Sequence, residues 1–163
     1  MIRLAFFAVC LLVVVVLTGC ATTPIFETRE INLDLTPELA IKENDTLLNT
    51  QVLWGGFVLN ATNLKETTQI EVLAYPLDSQ QQPNIQMNPY GRFLVMYKGY
   101  LELADYTQGR LITVSGHLGK TRQGKIGEAT YVYPFLSADK IHLWPEDNGE
   151  PKTRFQFGLG VVF

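Results

Sequence analysis

The sequence predicts a mainly all-β domain, a small OB-like, partly open β-barrel of about six strands with one or two short helices. Three observations predict it. Beyond residue 50, short runs of alternating apolar and polar residues recur between Gly, Pro and Asn signals. Glycines fall inside those runs, at positions that suit bulges or sharp bends. The one clear helix signal is brief and precedes the strands. A β-sandwich is the alternative architecture for the same pattern.

Thr36-Pro37-Glu38 starts the helix: a capping hydroxyl, proline at the first helical position and an acid near the positive end of the dipole. It should run from Pro37 to Lys42 and break at Asn44-Asp45. Residues 51–60 (QVLWGGFVLN) form the first predicted strand, with Gly55-Gly56 as a bulge or bend. Residues 68–75 form the second, with Ile70, Val72 and Ala74 on one face and Pro76 as its stop. The polar, proline-bounded stretch 77–89 reads as an exposed loop. Arg92–Lys98 alternates Phe93, Val95 and Tyr97 against Leu94 and Met96. Residues 110–118 place Ile112, Val114, Gly116 and Leu118 on one face, and a basic, glycine-rich turn is expected over 119–125. Residues 126–133 and 140–144 complete the set. The tail 154–163 (RFQFGLGVVF) also alternates, and its terminal Phe163 resembles the last strand of outer-membrane barrels. The mature chain has too few ten-residue strands to be such a barrel itself. A last strand or an apolar tail packed on the domain is expected, with contact to the membrane or a barrel partner as the alternative.

The N-terminus carries the strongest signal. Arg3 precedes an unbroken apolar run over residues 4–17, too short to span a bilayer and suited to a signal peptide. Leu17-Thr18-Gly19-Cys20 follows and resembles the bacterial lipobox. That resemblance implies cleavage after residue 19 and a Cys20 bearing an S-diacylglycerol and an N-acyl chain. Several acyl chains together hold a protein stably where one does not. Ala21, a non-acidic residue at the sorting position, implies export to the outer membrane. The expected organisation is a signal peptide over 1–19, a lipidated tether over 20–32, a β domain over 33–144 and a tail over 145–163.

Cleavage leaves 144 residues with 12 Lys+Arg against 16 Asp+Glu, a net charge of −4. That balance lacks the basic footprint of a nucleic-acid binder, so no nucleic-acid partner is expected. Cys10 leaves with the signal and Cys20 takes the lipid, so the mature chain has no thiol for a disulfide, a metal or nucleophilic catalysis.

Familiar chemistry is missing. Gly119-Lys120-Thr121 matches the end of a P-loop, but Val114 stands where that motif needs glycine, and the segment joins strands. No Gly-x-Ser-x-Gly elbow surrounds Ser79, Ser115 or Ser137. His117 and His142 lack zinc-ligand spacing, so no metal site is expected. Glu71, Asp78, Glu102, Asp105, Glu128 and Asp139 could act as acid and base only if two of them met in a cleft. No catalytic residue is assigned. Among the aromatics, Trp54, Tyr97, Tyr100, Tyr131 and Trp144 are the candidate binding surface.

An ordered set of short motifs resembles one family. It runs through Cys20, Val52-Leu53-Trp54-Gly55-Gly56, Glu71-Val72-Leu73-Ala74-Tyr75-Pro76-Leu77-Asp78 and Gly91-Arg92-Phe93. It continues with Tyr106, Gly109-Arg110, Val114-Ser115-Gly116, Gly127-Glu128, Tyr131, Tyr133-Pro134, Ile141 and Leu143-Trp144. The set is similar to the Slp family of starvation-inducible outer-membrane lipoproteins. The resemblance implies an outer-membrane location and a link to starvation or stationary phase, and it brings no enzyme activity. The expected function is therefore a non-enzymatic envelope lipoprotein, held in outer-membrane lipid through Cys20, its domain facing the periplasm. Its role is structural or partner-binding, with an envelope protein as partner and no cofactor beyond the covalent lipid. A glycan- or small-molecule-binding barrel is the alternative, and a hydrolase using paired acids comes third.

Overall fold

A computed structural model describes residues 24–29, 31–43 and 46–146. Helix α1 (Pro37–Lys42) forms as its caps dictate: Thr36 Oγ1 accepts from Leu39 N at 3.3 Å, and Glu38 pairs with Lys42 at 2.8 Å on the exposed side. Six residues are too few for a helix to persist alone. Burial of Pro37 and Ala40 holds it in place.

Five strands follow: β1 (Gln51–Asn63), β2 (Thr67–Tyr75), β3 (Arg92–Lys98), β4 (Leu111–Ile126) and β5 (Ala129–Leu143). They pair in the order β1-β2-β3-β5-β4, and β4 pairs back onto β1 from Gln51↔His117 to Phe57↔Leu111, so the barrel is closed. Every pairing is antiparallel except β3 with β5. This is the predicted OB-like architecture, a five-stranded Greek-key barrel.

The count of about six strands is corrected to five. The expected turn over 119–125 is continuous strand, and the segments 126–133 and 140–144 are largely the two ends of β5. Glycine content misled the reading because glycine serves packing here. A Cβ at Gly119 would stand 2.6 Å from the Phe135 ring, and one at Gly124 would stand 2.8 Å from the Tyr133 ring. Both aromatic rings lie over bare backbone. The true reversal is at Gly127, with φ +60°. Pro134 is tolerated within β5 because it lies where the β4–β5 register shifts, between Gly119↔Phe135 and Arg122↔Tyr133.

Inside the barrel, Val52, Trp54, Ile70, Val72, Phe93 and Leu136 are among the buried residues of one apolar cluster. Leu35, Ala40 and Leu47 join it from the N-terminal side, and Leu101 and Tyr106 join from the β3–β4 loop. The Gly55-Gly56 pair is no bulge, since the β1 register shifts between Val58 and Asn60 instead. Gly56 marks a close approach of strands: a Cβ there would sit 1.9 Å from the Leu73 carbonyl oxygen. Gly116 is alike, 2.2 Å from the Ser137 carbonyl oxygen. Backbone cannot swing aside as a side chain can. Gly56→Ala and Gly116→Ala should each cost about 3 kcal/mol in urea unfolding, the upper end of the usual cost of overpacking. Gly109→Ala, where nothing lies within 4 Å and only φ +93° resists, should cost less.

Candidate functional site

The most elaborate polar arrangement among the described residues fastens the N-terminal segment to the barrel. Gln81 Oε1 accepts from Phe26 N at 2.8 Å, and Gln81 Nε2 donates to the Phe26 carbonyl oxygen at 2.8 Å. A side-chain amide thus pairs with both backbone groups of one residue, as a neighbouring strand would. The Gln81 carbonyl oxygen accepts from Thr113 Oγ1 at 2.7 Å, and Thr113 Oγ1 accepts from Trp144 Nε1 at 3.0 Å. Phe26, Gln81, Thr113 and Trp144 are all buried. Lys140 Nζ donates to the Ile25 carbonyl oxygen at 2.9 Å and lies 4.9 Å from the centre of the Phe26 ring, within cation–π range. The segment expected as a tether over 20–32 is therefore seated on the barrel from Ile25 onward.

Stretch 77–89, expected as an exposed loop, is a loop with a buried anchor. Gln81 adopts φ +66° to turn its amide inward. Sequence reasoning missed Gln81 because glutamine in a polar stretch carries no burial signal. Phe26, the one aromatic between Cys20 and Trp54, was the available hint.

Between this strap and the barrel lies a cavity of about 500 Å³, lined in part by Leu33, Asp34, Trp54, Tyr75, Asp78 and Tyr90. Asp78 is committed locally, since its Oδ1 accepts from Gln80 N at 2.8 Å and Gln82 N at 2.9 Å. The cavity thus offers a mixed wall of rings, neutral polar groups and two carboxylates, Asp34 and Asp78.

The five predicted aromatics do not form one surface. Trp54 lies in the core, edge-on to Phe93 at 5.2 Å, with its Nε1 donating to the Leu35 carbonyl oxygen at 2.6 Å. Trp144 is buried through Thr113, on the side of the sheet away from the core cluster. Tyr97 is half-buried on β3. Tyr100 is 65% exposed and donates its hydroxyl proton to the Lys65 carbonyl oxygen. Tyr131 packs edge-on against Tyr133 at 4.7 Å, and its hydroxyl accepts from Arg92 N at 3.0 Å. Trp54, Tyr97 and Tyr131 lie on three different strands, and Tyr100 and Trp144 lie just past the ends of β3 and β5. Cys20, Ala21 and the tail 154–163 lie outside the described residues.

The acids are engaged separately. Glu71 Oε1 accepts from Arg92 at 2.8 Å and from the Tyr133 hydroxyl at 3.0 Å. The Glu71 hydrogen bond raises the Arg92 pKa above its ordinary value. Burial, and then Glu71, push the Tyr133 phenol up. Asp139 pairs with His117 at 2.9 Å on an exposed surface. Ser137 stands opposite His117 in the β4–β5 ladder. No group of three His, Cys, Asp or Glu among the described residues could hold a metal ion. No described helix is long and apolar enough to cross a membrane.

Fold and site define a class: a small closed β-barrel whose N-terminal segment is buckled to its wall by buried hydrogen bonds. The chain belongs to the Slp family of outer membrane lipoproteins, whose sequence profile matches residues 17–158, starting at the first residue of the lipobox. A Haemophilus influenzae protein, titled only as uncharacterized, is 35% identical over 130 residues, 78% of this chain and 70% of its own. The Escherichia coli outer membrane protein Slp is 31% identical over 94 residues, 58% of this chain. The Escherichia coli lipoprotein YeaY is 30% identical over 91 residues, 56% of this chain. The matched stretch spans about half the length of these last two relatives.

Thr113→Val keeps the shape and removes the hydroxyl that serves both Gln81 and Trp144. It should cost about 1–3 kcal/mol in denaturant unfolding, because a buried indole N–H is left unpaired. His142 supplies a second prediction. Burial, and then Lys140, hold its pKa below the ordinary histidine value, and its ring stands edge-on to Trp144 at 4.6 Å. The folded state resists its protonation. Its contribution is complete above the unfolded pKa and is lost as pH falls through that value toward the lower folded one. Between about pH 7.5 and about pH 5.5, wild-type Tm should fall more than that of His142→Gln.

Proposed function

We propose that this protein is a non-enzymatic component of the cell envelope, fixed to the outer membrane by lipid on Cys20, with its barrel facing the periplasm. There it supports the envelope or docks a partner protein under starvation or stationary-phase stress. The observation that carries the reading is how the polar groups are spent. Gln81, Thr113 and Lys140 hold the N-terminal segment to the barrel, and Glu71, Arg92 and Tyr133 satisfy one another. Such groups serve placement and rigidity; a reaction needs groups left poised toward a substrate. Family membership supports the outer-membrane anchor, and the starvation link comes from the same resemblance.

A second reading, small-molecule or glycan binding, rests on the mixed cavity beneath the strap, where Tyr75 and Tyr90 stand near neutral polar groups. Thermal-shift screening of the mature domain with Cys20 removed separates the two: stabilisation by a periplasmic glycan or metabolite favours the second.

Cys20→Ser should move the protein from the outer-membrane fraction into the inner membrane as an uncleaved precursor or into the soluble fraction, with release as the main outcome. Wild-type protein should show an acylated N-terminal peptide by mass spectrometry. Crosslinking in intact cells should recover a protein partner with wild type; recovery of the wild type alone would count against the docking role.

A further inference from the structure

The cavity beneath the strap differs in charge from its neighbours. It holds about 500 Å³, within the range of small-molecule sites. Asp34 lines it from the N-terminal segment and Asp78 from the loop after β2. Among the described residues that wall it there is no Lys, Arg or His. The cleft along Thr107–Leu111 sets Arg110 against Glu146 at 3.2 Å. The hollow under Ile25 has both signs in its wall, Glu27 with Arg29 and Lys140. The two negative charges of the first cavity have no positive counterpart there.

The groups left over in that wall have a pattern. Three of its neutral polar side chains are already occupied. The Gln81 amide pairs with Phe26, Trp54 Nε1 donates to the Leu35 carbonyl oxygen, and Thr36 Oγ1 caps the helix. The Asp34 carboxylate takes no hydrogen bond and no ion pair among the described residues. Asp78 Oδ1 serves two amides of its own loop, and Oδ2 lies outside those bonds. Tyr75 is half-buried and Tyr90 is 40% exposed, so ring surface remains accessible. Carboxylates beside accessible rings suit a positive charge on an apolar body, for which Coulomb attraction and cation–π contact act together. A neutral ligand gains neither. The wall is also fixed before any ligand arrives, because Gln81 and Trp54 tie loop, barrel and N-terminal segment together.

We infer that this cavity takes an organic cation, an ammonium group carried on an apolar body, with the charge beside Asp34 and Asp78 and the body against Tyr75 and Tyr90. The inference rests on the small-molecule reading given above and narrows it to one chemical class. Asp34 is the residue that selects the sign of the ligand, because its carboxylate is uncommitted.

Phenethylamine, phenethyl alcohol and phenylacetate share an aromatic body and differ in charge. Each is titrated calorimetrically into the full lipidated protein in dodecyl maltoside micelles, with protein-free micelles as the blank. At neutral pH and low salt the amine should bind about fivefold more tightly than the alcohol, and the acid more weakly than either. Asp34→Asn should weaken the amine about three- to tenfold and leave the alcohol unchanged. Tyr90→Ala should weaken the amine about two- to fivefold. Glu102→Gln, which removes an equal charge from the β3–β4 loop, should change nothing. Equal binding of amine and alcohol, both weakened by Tyr90→Ala, overturns this inference and leaves the small-molecule reading standing. An amine affinity that Glu102→Gln lowers as much as Asp34→Asn assigns the effect to the net charge of the protein and overturns it too. Binding of none of the three overturns it, and the glycan and metabolite screen then decides the broader reading alone.

Discussion

A barrel of only five strands closes only if its strands coil tightly, and tight coiling brings backbone against backbone. Two positions bear that constraint most tightly, Gly56 against Leu73 and Gly116 against Ser137. Neither leaves room for a methyl group. Much else follows from these crossings. β4 can return to β1, and within the closed barrel every strand gains two neighbours. The interior then fills with Val, Ile, Leu and Phe at period two, plus Trp54, whose N–H is met by the Leu35 carbonyl. The described residues hold no cysteine, so closure and core packing must supply the rigidity that small exported domains often take from cysteine pairs.

What was legible in the sequence was the local physics. The Thr36 cap, the Pro37 start and the alternation of Ile70, Val72 and Ala74 depend on near neighbours, and each appears where it was read. What was not legible depended on distant partners. Gly119 and Gly124 read as turn residues because nothing nearby shows that Phe135 and Tyr133 will lie across them. Gln81 read as solvated because its partner, Phe26, is 55 residues away. Trp54 and Tyr131 were grouped by chemistry, and only the pleat decides which way each ring faces. The candidate site was therefore less readable than the fold.

The Gln81 clamp has a logic that sequence spacing hides. A lipid-anchored domain with a long free tether can turn in any direction and sweep a wide volume, since a flexible chain's reach grows with the square root of its length. Fastening residues 25 and 26 to the barrel removes most of that tether. The bond is to main-chain atoms, so it fixes the position of the chain whatever side chains flank it. Thr113 and Trp144 extend the clamp to β4 and the end of β5, and Arg110 holds that end again through the Trp144 carbonyl oxygen at 3.2 Å. Both ends of the described chain are thereby tied to the same region of the sheet.

Rigidity of this kind bears on function. An enzyme keeps some polar groups unsatisfied or strained so that a substrate can complete them. Here the buried polar side chains Thr68, Gln81, Thr113 and Trp144 are answered from within the protein. The Glu71 carboxylate, at the centre of the outer-face cluster, already serves a guanidinium and a phenol. Networks so completed favour a single shape. A body of one shape presents the same surfaces at all times, which lowers the freedom lost when anything docks on them.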